Sequence, residues 1–143
     1  MPKLKVLMAD DEPEVLDIMA KKVAMEGYAV VTANNGEEAW GKIKKESPDV
    51  ILLDINMPKM GGFEVLRELR EHPHSDKWQP VIIVSARKEF DDFKKGFMLE
   101  AEHYLMKPCA IEDILKAIRL MASLIPQHKS PSEIEKENRE KNE

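Results

Sequence analysis

Asp10 and Asp11 follow one apolar run, Leu4 to Ala9, and Asp54 ends another, Val50-Ile51-Leu52-Leu53-Asp54. Acids at the carboxyl ends of neighbouring parallel strands converge in one crevice, where open α/β sheets hold their ligands. Carboxylates crowded this way repel one another unless a cation lies among them, and an all-oxygen donor set suits Mg2+. Two further runs end in different groups: Val81-Ile82-Ile83-Val84 at Ser85, and His103-Tyr104-Leu105-Met106 at Lys107-Pro108. An acid cluster, a hydroxyl and a lysine, each at a strand end, describe a place to hold a phosphoryl group. Asp54 is the candidate nucleophile, because carboxylates form acyl phosphates once charge on the transferring group is neutralised. Mg2+ on Asp10, Asp11 and Asp54 would neutralise one phosphoryl oxygen, Lys107 would pair with a second, and Ser85 with nearby backbone N–H groups would donate to the third. Asn56, two residues past Asp54, stands where its backbone carbonyl would reach the metal and its side chain would face the incoming group.

These residues need a scaffold, and the chain alternates apolar runs with amphipathic stretches five times, as a parallel sheet with helices on both faces requires. The first strand is expected over Leu4 to Ala9, then a helix from about Pro13 to Glu26, with Pro13 in the first turn and Gly27 just past the end. Tyr28 to Ala33 reads as the second strand, Asn34-Asn35-Gly36 as the turn into a helix ending near Glu46, and Val50 to Asp54 as the third strand. Met57-Pro58-Lys59-Met60-Gly61-Gly62 has the proline and glycines of a sharp turn, and Phe63, Leu66 and Leu69 carry the third helix toward Pro73. Val81 to Val84, a fourth helix from about Phe90 to Leu99, a fifth strand from His103 to Met106 and a last helix from about Ile111 to Leu124 complete the pattern. Phe90, Phe93 and Phe97 share one face of that fourth helix at the spacing of core packing. Residues 126–143 form a charged tail with almost nothing apolar, for which a frayed helix or disorder is expected, so the domain should end near residue 125.

The bulk properties narrow the function class. With 143 residues, 43% hydrophobic and 34% charged, the chain supports one globular domain with a real core. A net charge of −5 argues against direct nucleic-acid binding, and no apolar run approaches a membrane span. One cysteine, Cys109, permits no internal disulfide and fits a reducing cytoplasm.

The motifs Val6-Leu7-Met8-Ala9-Asp10-Asp11-Glu12-Pro13, Leu52 to Gly62, Val84-Ser85-Ala86 and Tyr104-Leu105-Met106-Lys107-Pro108, in this order, resemble the receiver domain of bacterial two-component response regulators. The resemblance runs over roughly Lys3 to Ser123 and is closest in kind to single-domain, chemotaxis-regulator-like receivers. It implies a flavodoxin-like, doubly wound five-stranded parallel sheet of order 2-1-3-4-5 with five helices. It implies that Asp54 accepts a phosphoryl group from a histidine kinase or phosphotransfer protein and that Mg2+ is required. Asp11 would bind the metal directly, Asp10 through water, and the Asn56 carbonyl would complete the protein ligands. Ser85 and Tyr104 would form the switch, reshaping a partner-binding face made by the fourth helix, fifth strand and fifth helix. Lys107-Pro108 would be a cis peptide. The product would be a signalling protein, monomer or weak dimer, rather than an enzyme acting on other substrates. The absence of an output domain before Glu143 favours a stand-alone regulator over the front of a longer one.

Three positions depart from that pattern. Glu100 stands where glycine is usual, at about 1 kcal/mol if it is left-handed. Cys109 replaces a phenylalanine that would pack on the last helix, and Ser85 replaces threonine. Simpler roles also exist: Asp10 and Asp11 as helix caps, Lys107 as a surface charge, Tyr104 as a static core ring. His72, His74, His103 and His128 are scattered and lack the grouping of a metal site. A Mg2+-dependent aspartyl phosphatase would need a second acid at position 56, where asparagine stands. A receiver-like module that no longer phosphorylates is the other alternative, opposed by the intact Asp10, Asp11, Asp54, Ser85 and Lys107.

Overall fold

The computed structural model describes residues 3–73, 75–86, 101–127 and 131–141. Five strands, β1 (Lys5–Ala9), β2 (Ala29–Ala33), β3 (Val50–Asp54), β4 (Val81–Ala86) and β5 (His103–Lys107), form one sheet in the order β2-β1-β3-β4-β5. Every pairing is parallel. This is the flavodoxin-like sheet that the motifs imply. Helices α1 (Pro13–Met25), α2 (Gly36–Glu46), α3 (Gly62–Glu71), α4 (Ile111–Leu124) and α5 (Pro131–Lys141) are described. The helix expected over Phe90 to Leu99 lies outside the described residues, as do Glu100, His74 and His128. Consequently α4 here is the helix that the sequence predicts as the fifth. The charged tail carries α5, whose composition leaves it without an apolar face.

Strand alternation divides the core. Leu7, Ile51, Leu53 and Ile83 face one way and pack with Ile43 of α2 and Leu66 of α3. Val6, Leu52, Ile82 and Val84 face the other way and pack with Leu16 and Val23 of α1 and Ile114 and Ile118 of α4. Both faces are covered, which is why the strands read as continuous apolar runs. All five residues of β3 are buried.

Local chemistry ends the helices where the sheet needs them. Pro13 occupies the first turn of α1, and Gly27 follows that helix with φ of 102°, a conformation that suits a residue without Cβ. Asn35 caps α2 by accepting the Glu38 N–H at 2.8 Å. The start of α3 lies so close to the end of β3 that a Cβ on Gly62 would collide with the Asp54 carbonyl. A Cβ on Gly36 would likewise strike the carbonyl of Met60.

The amino end of the sheet is laced by ion pairs. Arg70 Nη2 lies 2.8 Å from both carboxylate oxygens of Glu102, and the Val81 N–H donates to Glu102 Oε2 at 2.6 Å. Asp49 accepts from the Lys5 N–H at 2.8 Å and from Lys77 Nζ at 3.0 Å. Buried Gln79 donates to the Pro48 carbonyl. Among the described residues no helix is long and apolar enough to cross a membrane.

Candidate functional site

β1 and β3 are neighbours and β5 lies one strand beyond, across β4, so their terminal residues meet at one edge of the sheet. Asp10 directly follows β1, and its N–H is fixed to the Ala33 carbonyl of β2 at 3.1 Å. Asp54 ends β3 opposite Val84, and Lys107 ends β5 opposite Ala86. Those partners, Val84 and Ala86, share one face of β4 by alternation, which brings the lysine over the acid. Lys107 Nζ lies 2.6 Å from Asp54 Oδ2 and 3.7 Å from Asp10 Oδ2. The second oxygen, Asp54 Oδ1, accepts the Asn56 N–H at 3.1 Å.

Asp54 is 3% exposed. Burial raises its carboxyl above the ordinary carboxylate value, against the opposing pull of the Lys107 hydrogen bond and the Asn56 N–H. Burial also works to lower the Lys107 ammonium, but the hydrogen bond and charge of Asp54, with Asp10 and Glu12 behind it, carry it above its ordinary value. Mutual attraction within the pair thus works against a site whose burial disfavours charge on both groups.

Beside this pair, Asp10, Asp11 and Glu12 each place one carboxylate oxygen within 4.8 Å of the others. Oxygens about 2.1 Å from an octahedral Mg2+ are about 3 Å apart when adjacent, so these side chains would have to draw together to share the ion. The donor chemistry, oxygen only and carboxylate-rich, fits the metal. Glu12 is a member that sequence reasoning missed; three consecutive acids after a strand were the available signal. The same acids also serve α1 locally: Glu12 is its N-cap residue and makes no side-chain cap, while Asp10 Oδ1 accepts the Glu12 N–H at 3.0 Å. Asp10 thus fills the turn-forming role and still presents Oδ2 to Lys107.

Ser85 and Tyr104 fall elsewhere. Ser85 is buried at the penultimate position of β4, and Tyr104 pairs with Ile83. By alternation Ser85 and Tyr104 belong to the α2–α3 side of the sheet, and Tyr104 packs against that core layer. Asn56 lies just beyond β3 with its side chain exposed. The Lys107-Pro108 peptide is cis, as the resemblance implies.

Comparison with known proteins agrees with this geometry. Residues 6–119 match the model of the response regulator receiver domain. A probable transcriptional regulator, ycf27 of Guillardia theta, is 39% identical over 117 residues, 82% of this chain and 44% of that protein. The chain spans about half the length of the curated relatives it matches. The chemotaxis response regulator CheY4 of Vibrio cholerae superposes with a TM-score of 0.74 at 30% identity, covering 84% of this chain and 99% of that one. The response regulator TrrA of Thermotoga maritima, solved in complex with Mg2+ and BeF, gives 0.72 at 28% identity, covering 82% and 98%. With the family model spanning most of the chain and the strand order the same, the chain belongs to the response regulator receiver domains of two-component systems.

Proposed function

We propose that this chain is a phosphoacceptor whose Asp54 takes a phosphoryl group from a histidine kinase or phosphotransfer protein. The observation that carries the reading is the buried Asp54 carboxylate, held 2.6 Å from Lys107 in a pocket that Asp10 and Glu12 also line. A lone pair on an Asp54 carboxylate oxygen forms the new P–O bond, and the P–N bond to the donor histidine breaks, its electrons returning to the imidazole nitrogen. Lys107 passes from the carboxylate to a phosphoryl oxygen as charge moves onto that group. Ser85, on the other face of β4, moves toward the phosphoryl group to donate its hydroxyl to another phosphoryl oxygen, and that displacement lets Tyr104 repack. Asp10, Asp11, Asp54 and the Asn56 carbonyl are the proposed Mg2+ ligands, with Glu12 available beside them. Bound there, the metal supplies charge neutralisation for the transferring group and the acids.

The output surface of this reading is formed by β5 and α4, where Met106 and Leu120 are 42% and 48% exposed. A protein partner docks there, and the domain itself ends near residue 125. A cytoplasmic location and a monomer or weak dimer accord with transfer between diffusing proteins. The relatives' names as transcriptional regulators bear on longer chains, and this domain acts through protein contacts rather than on DNA.

Intact mass after incubation with acetyl phosphate and Mg2+ tests the proposal. One added phosphoryl group is expected, absent from Asp54→Ala and from metal-free protein. An adduct that persists in Asp54→Ala would move the acceptor elsewhere. No adduct in the wild-type chain would leave a receiver fold used only for binding.

A further inference from the structure

A cavity of about 460 Å³ lies beside Asp54, between α1 and α4. It is a half-open cleft rather than an enclosed void, and clefts of this size are those that take small ligands. Its inner wall is apolar: Leu16 and Met19 of α1, Leu52 of β3 and Ile114 of α4. Cys109, a small side chain at the entrance to α4, also lines it, and a larger group there would fill the space.

The rim has the opposite character. Asp10, Glu12, Asp54 and Lys107 line the same cavity. Lys107 is committed to Asp54 at 2.6 Å and stands farther from Asp10, at 3.7 Å. Among the described residues one lysine faces three carboxylates, so Asp10, paired only at the longer distance, and Glu12 leave negative charge over an apolar pocket. An anionic head would meet repulsion at this rim, and a neutral one would leave the two carboxylates unmatched.

We propose that this cavity binds a small amphipathic amine, with its apolar body between α1 and α4 and its ammonium group on Asp10 and Glu12. Asp10 is also a proposed metal ligand, so the amine and Mg2+ exclude each other. That consequence, regulation of phosphorylation by the amine, rests on the phosphoacceptor reading; the binding site itself does not.

Three probes with one apolar body separate the terms: 4-phenylbutylamine, 4-phenylbutanol and 4-phenylbutyrate, titrated into the full chain without Mg2+ and followed by methyl chemical shifts. Saturable shifts at Leu16 and Ile114 are expected with the amine, and affinity about tenfold or more weaker for the alcohol and the acid. Glu12→Gln should weaken the amine severalfold. Cys109→Phe should abolish its binding, while Cys109→Ser retains it. If Cys109→Phe fails to give a folded spectrum, Met19→Trp serves as the filling variant. Equal binding of alcohol or acid, unchanged affinity in a folded filling variant, or no saturable shift would overturn the proposal. Added Mg2+ should displace the amine, and failure to do so would overturn its placement on Asp10. Should the amine bind while acetyl phosphate leaves Asp54 unmodified, the phosphoacceptor reading fails and the cavity site stands.

Discussion

The two ends of the sheet are both rich in charge, yet they are built on different rules. At the amino end each buried or half-buried polar group meets its complement: Glu102 takes Arg70 and the Val81 N–H, Asp49 takes Lys77 and the Lys5 N–H, and Gln79 takes the Pro48 carbonyl. At the carboxyl end, among the described residues, Asp54 and Asp10 share Lys107 while Asp11 and Glu12 crowd against Asp10. A matched cluster closes loops and fixes strand starts. An unmatched one stores repulsion that a bound cation or an arriving group relieves. Charge balance, more than charge content, separates the structural end from the functional one.

Breaking the carboxyl end should have the largest effect. In Lys107→Ala, the phosphoryl adduct should form about 100-fold more slowly, as when one preorganised charge partner is removed. The same change leaves Asp54 buried without its counter-ion, so urea unfolding should show a loss of about 3 kcal/mol. A rate within twofold of wild type would make Lys107 a bystander.

Arg70→Ala breaks the other end. Glu102 loses its partner, and a destabilisation of about 1–2 kcal/mol is expected from urea midpoints. The phosphorylation rate should not change. A large rate loss in this variant would join the two ends into one functional unit.

Titration sharpens the contrast. The folded Asp54 carboxyl titrates above its ordinary value of 3.8 because of burial. The folded state then holds the proton more tightly than the unfolded one, so ionised Asp54 costs stability above its folded value, and acidification toward 3.8 relieves that cost. Glu38 behaves in reverse: its hydrogen bond to Lys42 lowers it below 4.5, and its contribution is present above that value and lost as pH falls through the folded one. Carboxyl carbon NMR without Mg2+ should place the Asp54 midpoint above 3.8, and higher still in Lys107→Ala. A midpoint below 3.8 would mean that Lys107, not burial, dominates the site. The smallest effect belongs to Lys77→Ala, where a half-exposed pair with Asp49 is removed. About 0.5 kcal/mol or less is expected, and a loss several times larger would mean the amino end is cooperative.

Much of this was legible in the residues. Val50 to Asp54 forms β3 with the bounds expected, and Ile111 to Leu124 forms the helix expected there. Gly27 and Asn35 act as their types predict. The site's acids and lysine could be read because each follows an apolar run, which marks a strand end without any knowledge of register. What could not be read was facing. Strands buried on both sides carry no alternation of polarity, so nothing in Val81-Ile82-Ile83-Val84-Ser85 tells which core layer Ser85 joins. Pairing decides it, placing Ser85 with Tyr104 and away from the face that Val84 and Ala86 share with the lysine's contact. Strand β4 also runs two residues farther than its apolar run, to Ala86, because Lys107 supplies a partner there. Glu12 was missed because its position before Pro13 reads first as helix entry.

The tight seats of Gly36 and Gly62 have a mechanical consequence. One begins a helix against the loop after β3, the other against the last carbonyl of β3, and neither leaves room for even a methyl group. The starts of α2 and α3 are thus clamped onto the backbone at, and in the loop after, the residue that carries the site's buried carboxylate, so a side chain larger than hydrogen at either glycine would have to push that backbone aside.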